Sequence, residues 1–495
     1  MAQIRRAFFA ATGERYVVLM INLILLATIS RLLPAREIGI ALIGIAVLTV
    51  VGNLRDFGLA AFIVQRDVVT RVSIRTAFTV TLMIATLLAC VILAAQGVVA
   101  GFYQEEQLGT FLQIVTVSLL VGTLFGPSGA LLQRAMEFKT LALIHIAGAI
   151  VNCGVAVALA LAGFGALSIA WAAVAQSVVV STLGIFSKSV LWAYRPCLKD
   201  WREFITFGTS ASLYGLVSRL YDNLPYFVLG RLLPLNSVAL FNRATMICDL
   251  PLKGLLSGVF PVALPALAIA AREDRSLAHS YLRALSYITA VHWPGLLLVA
   301  FLAHPIVTVI VGPAWHDVVP LVQIMAIANL FSSPSLLAYP MLVSAGAVNI
   351  ALLLSLVTLP VCAAIFVLAA SYGVKAAALS LLLTIPLENL AGLWVVRKRA
   401  FFHWNELASA LRESLIVTLC TMIGPVVILL ATGLRTDISV AVGVAIGLLG
   451  AIGWFIGVFC VRHPLLKHIP EVMQLGPDFP FVRQRMRQVF GKLKS

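Results

Sequence analysis

Long apolar runs, each close to 20 residues and bounded by charges, glycine or proline, recur along the whole chain. Crossing the hydrocarbon core of a bilayer, about 30 Å thick, takes about 20 helical residues, so each run has the length of a transmembrane helix. About fourteen are predicted, near residues 16–31, 38–54, 76–100, 109–131, 141–162, 166–190, 205–230, 237–265, 281–303, 318–344, 349–370, 374–396, 412–432 and 438–461. The runs do not alternate polar and apolar at every second position, as membrane β-strands do. The expected fold class is therefore an all-α polytopic membrane protein of about 14 transmembrane helices.

The pattern repeats internally. Arg31-Leu-Leu-Pro34 closes the first run and Arg231-Leu-Leu-Pro234 closes the seventh, 200 residues later. Gly165, in the link between the fifth and sixth runs, is echoed 208 residues on by Gly373, between the eleventh and twelfth. Six spans separate the members of each pair, and an even number preserves orientation, so the repeats are parallel. The expected division is a six-helix lobe over 1–200, a second over 201–400, two additional helices over 401–462 and a basic tail over 463–495. The tail has amphipathic character in 481–493 and is expected to lie against the membrane surface.

Composition adds that only 11% of the 495 residues are charged, against 61% hydrophobic and a mean hydropathy of +1.03. A soluble surface needs roughly 25–35% charged residues. An even span count puts both termini on one side. With that side cytoplasmic, 27 of the 35 Lys and Arg lie inside, five (Arg31, Arg36, Arg231, Lys375, Arg435) lie outside and three lie within spans. That asymmetry fits the positive-inside rule. The net charge of +15 is then an orientation signal and an attraction to anionic lipid, not a nucleic-acid footprint. The first run follows Arg5, Arg6 and Arg15 but continues to Pro34 with no small-residue cleavage site, so it reads as an uncleaved span.

Seven cysteines are scattered without close pairs, and there is no CxxC and no Cys/His cluster at metal-ligand spacing. They read as packing residues, and no metal or cofactor is expected. HExxH, GxSxG and Walker A signatures are absent, so the chain is not expected to be an enzyme.

The chemistry concentrates between Leu213 and Pro265, where Arg219, Asp222, Arg243, Asp249 and Lys253 interrupt two membrane-length runs. A charge at a helix centre costs about 2.5–3.5 kcal/mol on insertion scales, so five facing lipid would cost on the order of 15 kcal/mol. They must face one another, a water-filled cavity or a charged substrate. Asn242, Met246, Asp249 and Lys253 share one helix face, with Arg243 about 100° round from Asn242. Arg219, Asp222 and Asn223 share a face of the preceding helix. Asp249–Lys253 and Arg219–Asp222 stand at intrahelical pairing distances and could neutralise each other, or could contact substrate. Arg243 has no partner in its own span and is the candidate for an anionic group. Three positive against two negative charges suit a phosphate or pyrophosphate, which the planar fork of Arg binds bidentately.

Two further candidates lie outside this stretch. Arg55, in a loop running through Gln65-Arg66-Asp67 to Arg75, is either topology-setting or part of a basic approach for a charged head group. Glu388, beside Asn389 deep in the twelfth run, is either packing glue or a proton- or cation-coupling site. His145 and His292 read as packed residues.

With these residues assembled, the chain resembles the Wzx-type polysaccharide transporters of the multidrug/oligosaccharidyl-lipid/polysaccharide (MOP) exporter superfamily. The resemblance rests on Asp56-Phe-Gly-Leu59 with Gln65-Arg66, Leu132-Gln-Arg134 with Phe138-Lys139, and Gly163-Phe-Gly165. Most specific is the series Asp222-Asn223, Gly230-Arg231, Phe241-Asn-Arg-Ala244, Pro251 and Phe260-Pro261. Phe241 stands where the family usually has Tyr, and Lys253 departs from its pattern. The resemblance implies two six-helix lobes around a central cavity with two helices appended, in a bacterial inner membrane with both termini cytoplasmic. It implies alternating access that moves an undecaprenyl-pyrophosphate-linked oligosaccharide to the outer leaflet for exopolysaccharide or lipopolysaccharide assembly, with Arg219, Arg243 and Arg55 as cavity arginines. Expected partners are that lipid, the bilayer, and polysaccharide polymerase and chain-length proteins, with no nucleic acid. A cation-coupled multidrug exporter of the same superfamily is the alternative, and it should carry an acidic cavity. A polymerase or ligase needs a large outer loop, which this chain lacks.

Overall fold

The computed structural model describes residues 2–56, 58–65, 69–188, 190–199, 201–255, 277–334, 336–338, 341, 348–431, 433 and 438–463. Every long element among them is an α-helix. They are α1 (Ala2–Leu32), α2 (Ala35–Asp56), α3 (Leu59–Gln65), α4 (Arg71–Tyr103), α5 (Glu106–Thr123), α6 (Gly126–Arg134), α7 (Phe138–Leu161) and α8 (Leu167–Lys188). After these come α9 (Trp201–Leu232), α10 (Leu235–Cys248), α11 (Leu250–Leu255), α12 (Leu277–Phe301), α13 (Ala303–Ile310), α14 (Val318–Asn329), α15 (Val348–Ala370), α16 (Val374–Ala400), α17 (Trp404–Ala431) and α18 (Val440–Cys460).

Each of the fourteen expected runs coincides largely with helix over its described residues. Among the described residues, eleven helices are long and apolar enough to cross a membrane, and twelve if α5 and α6, bent by 43°, form one span. The two runs outside that set are the charge-bearing ones, α9 and α10 with α11. The count of 14 is compatible with the structure and is not fixed by it. The later part of the eighth run, with Phe260 and Pro261, and the basic tail with its amphipathic 481–493 segment lie outside the described residues, as do Arg66 and Asp67.

The repeat is visible in the backbone. α1 ends at Leu32 and α2 starts at Ala35; α9 ends at Leu232 and α10 starts at Leu235. Pro34 and Pro234 cannot donate a backbone hydrogen bond, and each breaks its helix pair at the same place. Leu33 and Leu233 both donate to the carbonyl four residues earlier, at 2.9 Å in each case. The second echo also holds: Gly165 (φ +56°) and Gly373 (φ +112°) take left-handed backbone just before α8 and α16, where a side chain is disfavoured.

The corners meet across the two halves. A Cβ on Gly39 of α2 would stand 2.2 Å from the carbonyl oxygen of Leu235, so only glycine admits this approach. Arg31 donates to the carbonyls of Val309 (2.6 Å) and Ile310 (3.3 Å), while Arg231 lies 4.9 Å over the ring of Phe102. Each corner arginine thus reaches into the opposite half. A single hydrophobic core joins both halves at this corner end, with Ile38, Phe111, Leu229, Val238, Trp315 and Phe366 among its members. At the opposite, basic end the cores are separate. One is built from Leu59, Phe62, Ile74 and Phe204, the other from Tyr281, Leu285, Val396 and Phe402. α17 and α18 pack on each other, and α17 lies along α12. Thr289 and Ser414 bond at 2.8 Å, and Ser414 donates to the Ser286 carbonyl at 3.0 Å, so buried hydroxyls fasten the appended pair.

Candidate functional site

Symmetry-related helix pairs are treated differently. α2 and α9 pack along each other, whereas their counterparts α10 and α1 enclose a cavity of about 440 Å³. Its apolar lining comes largely from α1 and α2, and its polar lining is Asn22, Asn152, Asn242, Arg243 and Lys253. A second chamber of about 480 Å³ shares Leu19, Asn22, Asn152 and Lys253 and adds Glu14, Arg15, His145 and Gln176. The shared residues place the two chambers side by side.

Arg243 sits on α10, two turns from the Pro234 corner, with 5% of its surface exposed. One Nη donates to Asn242 Oδ1 at 3.1 Å, and Asn242 in turn donates to the Tyr226 hydroxyl at 3.0 Å. The guanidinium carbon stands 5.6 Å from the ring centre of Trp315, whose indole N–H is tied to the Ser30 carbonyl at 2.8 Å. The Nε has no hydrogen-bond partner, and among the described residues no carboxylate pairs with this cation. A ring face contributes about 0.5–2 kcal/mol toward a cation. Desolvating a charge costs several kcal/mol, so the site is electrostatically incomplete and favours an anion.

α10 stops at Cys248 because Pro251 has no N–H to offer the Ile247 carbonyl. Asp249 lies at the resulting turn and pairs with Lys253 at 2.9 Å. The intrahelical alternative is thus the one this pair adopts, with Lys253 still lining both chambers. Arg219 and Asp222 pair more loosely, at 3.7 Å, with both side chains more than half exposed. Neither they nor Asn223, which donates to the Arg219 carbonyl at 2.8 Å, line the cavity. Glu388 of α16 stands within electrostatic range of Asp222 and Tyr221, forming a separate polar cluster inside the second half. Arg55 donates to Asp56 at 2.6 Å and to the Leu119 carbonyl at 3.3 Å, at the basic end and away from Arg243. The structure therefore brings together Asn242, Arg243, Asp249 and Lys253 of the expected set.

Sequence reasoning missed Trp315, Asn22, Asn152, Gln176 and Arg15. It also took His145 as a packed residue, whereas His145 lines the outer chamber and bonds Glu14 at 2.6 Å. His292 is buried and bonds Ser333 at 3.1 Å. No group of three or more His, Cys, Asp or Glu among the described residues could hold a metal ion.

A family model described as "Polysaccharide biosynthesis protein" matches residues 28–320. The chain belongs to this polysaccharide biosynthesis family. It is 26% identical over 280 residues to the teichuronic acid biosynthesis protein TuaB of Bacillus subtilis (strain 168), covering 56% of this chain and 57% of TuaB. It is 20% identical over 324 residues to the lipopolysaccharide biosynthesis protein WzxC of Escherichia coli (strain K12), covering 64% of this chain and 65% of WzxC. The matches thus span less than two thirds of either relative. Among solved structures, the lipid II flippase MurJ in an inward closed conformation superposes with a TM-score of 0.73 at 12% identity, over 92% of this chain and 99% of that one. An inward-facing multidrug resistance MATE family transporter of the MOP superfamily superposes at 0.60 with 14% identity, over 80% and 94%. These likenesses establish that this family member has the MOP-type fold. The matched region holds both corners, Arg243 and Trp315.

Proposed function

We propose that the protein is a bacterial inner-membrane flippase. It moves a polyprenyl-pyrophosphate-linked oligosaccharide from the cytoplasmic to the outer leaflet by alternating access. The observation that carries this reading is Arg243: a desolvated guanidinium facing a cavity, stacked on Trp315, with an unfilled donor and no carboxylate partner. Lys253 adds a second cation at the junction of the two chambers, so a diphosphate can lie between them.

In this reading the basic end faces the cytoplasm and both termini lie there, which agrees with the positive-inside count. The corner end is then the sealed outer gate, and the substrate enters between α1 and α10. The flipped lipid passes to a polysaccharide polymerase and chain-length proteins. Arg55, beside Asp56, acts at the approach to the cavity, and the Asp222–Glu388 cluster is a coupling element and not a substrate contact. The family membership, and the names of TuaB and WzxC, fit a substrate carrying sugars.

The test is translocation of a fluorescent undecaprenyl-pyrophosphate oligosaccharide in proteoliposomes. Wild-type protein should move the probe and empty liposomes should not. No movement by folded protein, together with ion-driven efflux of organic cations, would assign it to multidrug export instead.

A further inference from the structure

The deep chamber is a poor seat for sugars, because most of its lining is Leu, Ile and Ala. The polar chamber beside it is different. Asn22 of α1, Asn152 of α7 and Gln176 of α8 converge on it from three helices of the first half, which pack as α1 on α7 and α7 on α8. None of the three carboxamides has a protein partner among the described residues. Most other polar side chains of these helices are satisfied locally. Thr28 donates to Ile24, Ser30 to Leu26 and Ser177 to Ala173. Three accessible or half-buried amide groups without protein partners at one place offer a concentrated set of hydrogen-bond donors and acceptors to whatever fills the chamber.

We propose that Asn22, Asn152 and Gln176 form a seat for the neutral, hydroxyl-bearing sugars of the translocated lipid, separate from the cationic diphosphate position at Arg243 and Lys253. The proposal rests on the flippase reading and deepens it. A carboxamide presents a donor pair and an acceptor on one planar group, which matches a sugar hydroxyl that both donates and accepts. Asn22 and Asn152 line both chambers, so the seat begins where the diphosphate position ends, as a glycosyl diphosphate requires. Glu14 and His145 close the far side and are occupied with each other at 2.6 Å. The diphosphate is thus assigned to Arg243 and Lys253 of the second half and the uncharged sugar to the carboxamides of the first, with Arg15 also lining the polar chamber.

The experiment compares binding of two probes to the full-length protein in lipid nanodiscs. One is undecaprenyl diphosphate, and the other is the same lipid bearing a trisaccharide of neutral hexoses. At about 1 kcal/mol per hydrogen bond, three bonds should make the glycosylated probe bind roughly 100-fold more tightly to wild type. Gln176 lines the polar chamber and not the deep one, so Gln176→Leu should reduce that increment about five- to tenfold while leaving affinity for the bare lipid unchanged. Asn22 and Asn152 line both, so Asn22→Leu and Asn152→Leu should weaken the glycosylated probe about five- to tenfold more than the bare lipid. Retained bare-lipid binding also reports that each variant is folded. An increment that survives all three substitutions overturns the seat, as does equal loss of both probes in every single variant. A larger increment from a uronic-acid trisaccharide than from the neutral one overturns the neutral-sugar assignment. Wild type that binds neither probe removes the flippase reading, and the seat with it.

Discussion

At the 200-residue offset set by the two corners, α10 carries Asn242 and Arg243 where α2 carries Leu42 and Ile43. Likewise α9 carries Arg219, Asp222 and Asn223 where α1 carries Leu19, Asn22 and Leu23. The backbone is shared, and the chemistry is not. Ile43 is fully buried beside Gly230, where an added Cβ would lie 2.5 Å from its Cδ1, and it helps to seal α2 against α9. Arg243 points instead toward Trp315 and the cavity between α10 and α1. One copy of the repeat forms a seam and the other lines a cavity. The lesson is that pseudo-symmetry fixes where a side chain stands, and the residue placed there decides whether the interface closes or takes a ligand.

Moving the charge to the seam should have the largest effect. Ile43→Arg buries an unpaired cation and should destabilise the fold by about 3–5 kcal/mol, read as loss of monodisperse protein in a thermal-stability assay. Removing it from the binding surface comes next. Arg243→Ala should lower transport by about 100-fold, the scale of a buried charge-assisted contact of about 2–3 kcal/mol, with membrane abundance unchanged. Loss of abundance would mean that the residue is structural.

The seal at the corner end offers smaller perturbations. Gly39→Ala places a methyl against the Leu235 carbonyl and should cost about 1–3 kcal/mol, together with faster thiol labelling of a cysteine placed at that end. Arg31→Ala removes two carbonyl contacts to the opposite half, and a third to Ala27 in its own helix, from an exposed side chain and should cost about 1 kcal/mol in a melting experiment. Arg231→Ala, which removes the stacking on Phe102, should cost about 0.5 kcal/mol. The smallest effect belongs to Arg219→Ala. Its pair with Asp222 is long and exposed, so both stability and transport rate should change by no more than about twofold in equilibrium terms. A transport defect as deep as that of Arg243→Ala would return Arg219 to the substrate site.

Much of this was legible in the chain before the structure. The spans follow from run length alone, and the Arg-Leu-Leu-Pro corners announce a parallel repeat because the same four residues recur at the end of two apolar runs, with proline ending the helix at each. Arg243 stood out because no carboxylate lies at its own i±3 or i±4 positions, a purely local signal. The partners that matter to it were not local. Trp315 is 72 residues away, and nothing in Gly312-Pro-Ala-Trp-His316 marks that ring as facing a guanidinium. Asn22, Asn152 and Gln176 are single amides in apolar helices, with no spacing that links them until α1, α7 and α8 pack. Arg55 and Arg219 illustrate the opposite case. Their charge made them candidates, whereas Asp56 and Asp222 lie close enough in sequence to pair with them outside the cavity. Charge inside a span marks a demand, and only tertiary packing shows what meets it.

The central claim is that an anion-seeking Arg243 in the cavity moves a lipid-linked sugar diphosphate. The most direct measurement is the rate at which wild type, Arg219→Ala and Arg243→Ala, reconstituted at equal amounts, translocate a fluorescent undecaprenyl-pyrophosphate oligosaccharide. The account predicts near-equal rates for wild type and Arg219→Ala and a rate close to that of empty liposomes for Arg243→Ala. Equal transport by wild type and folded Arg243→Ala would contradict it.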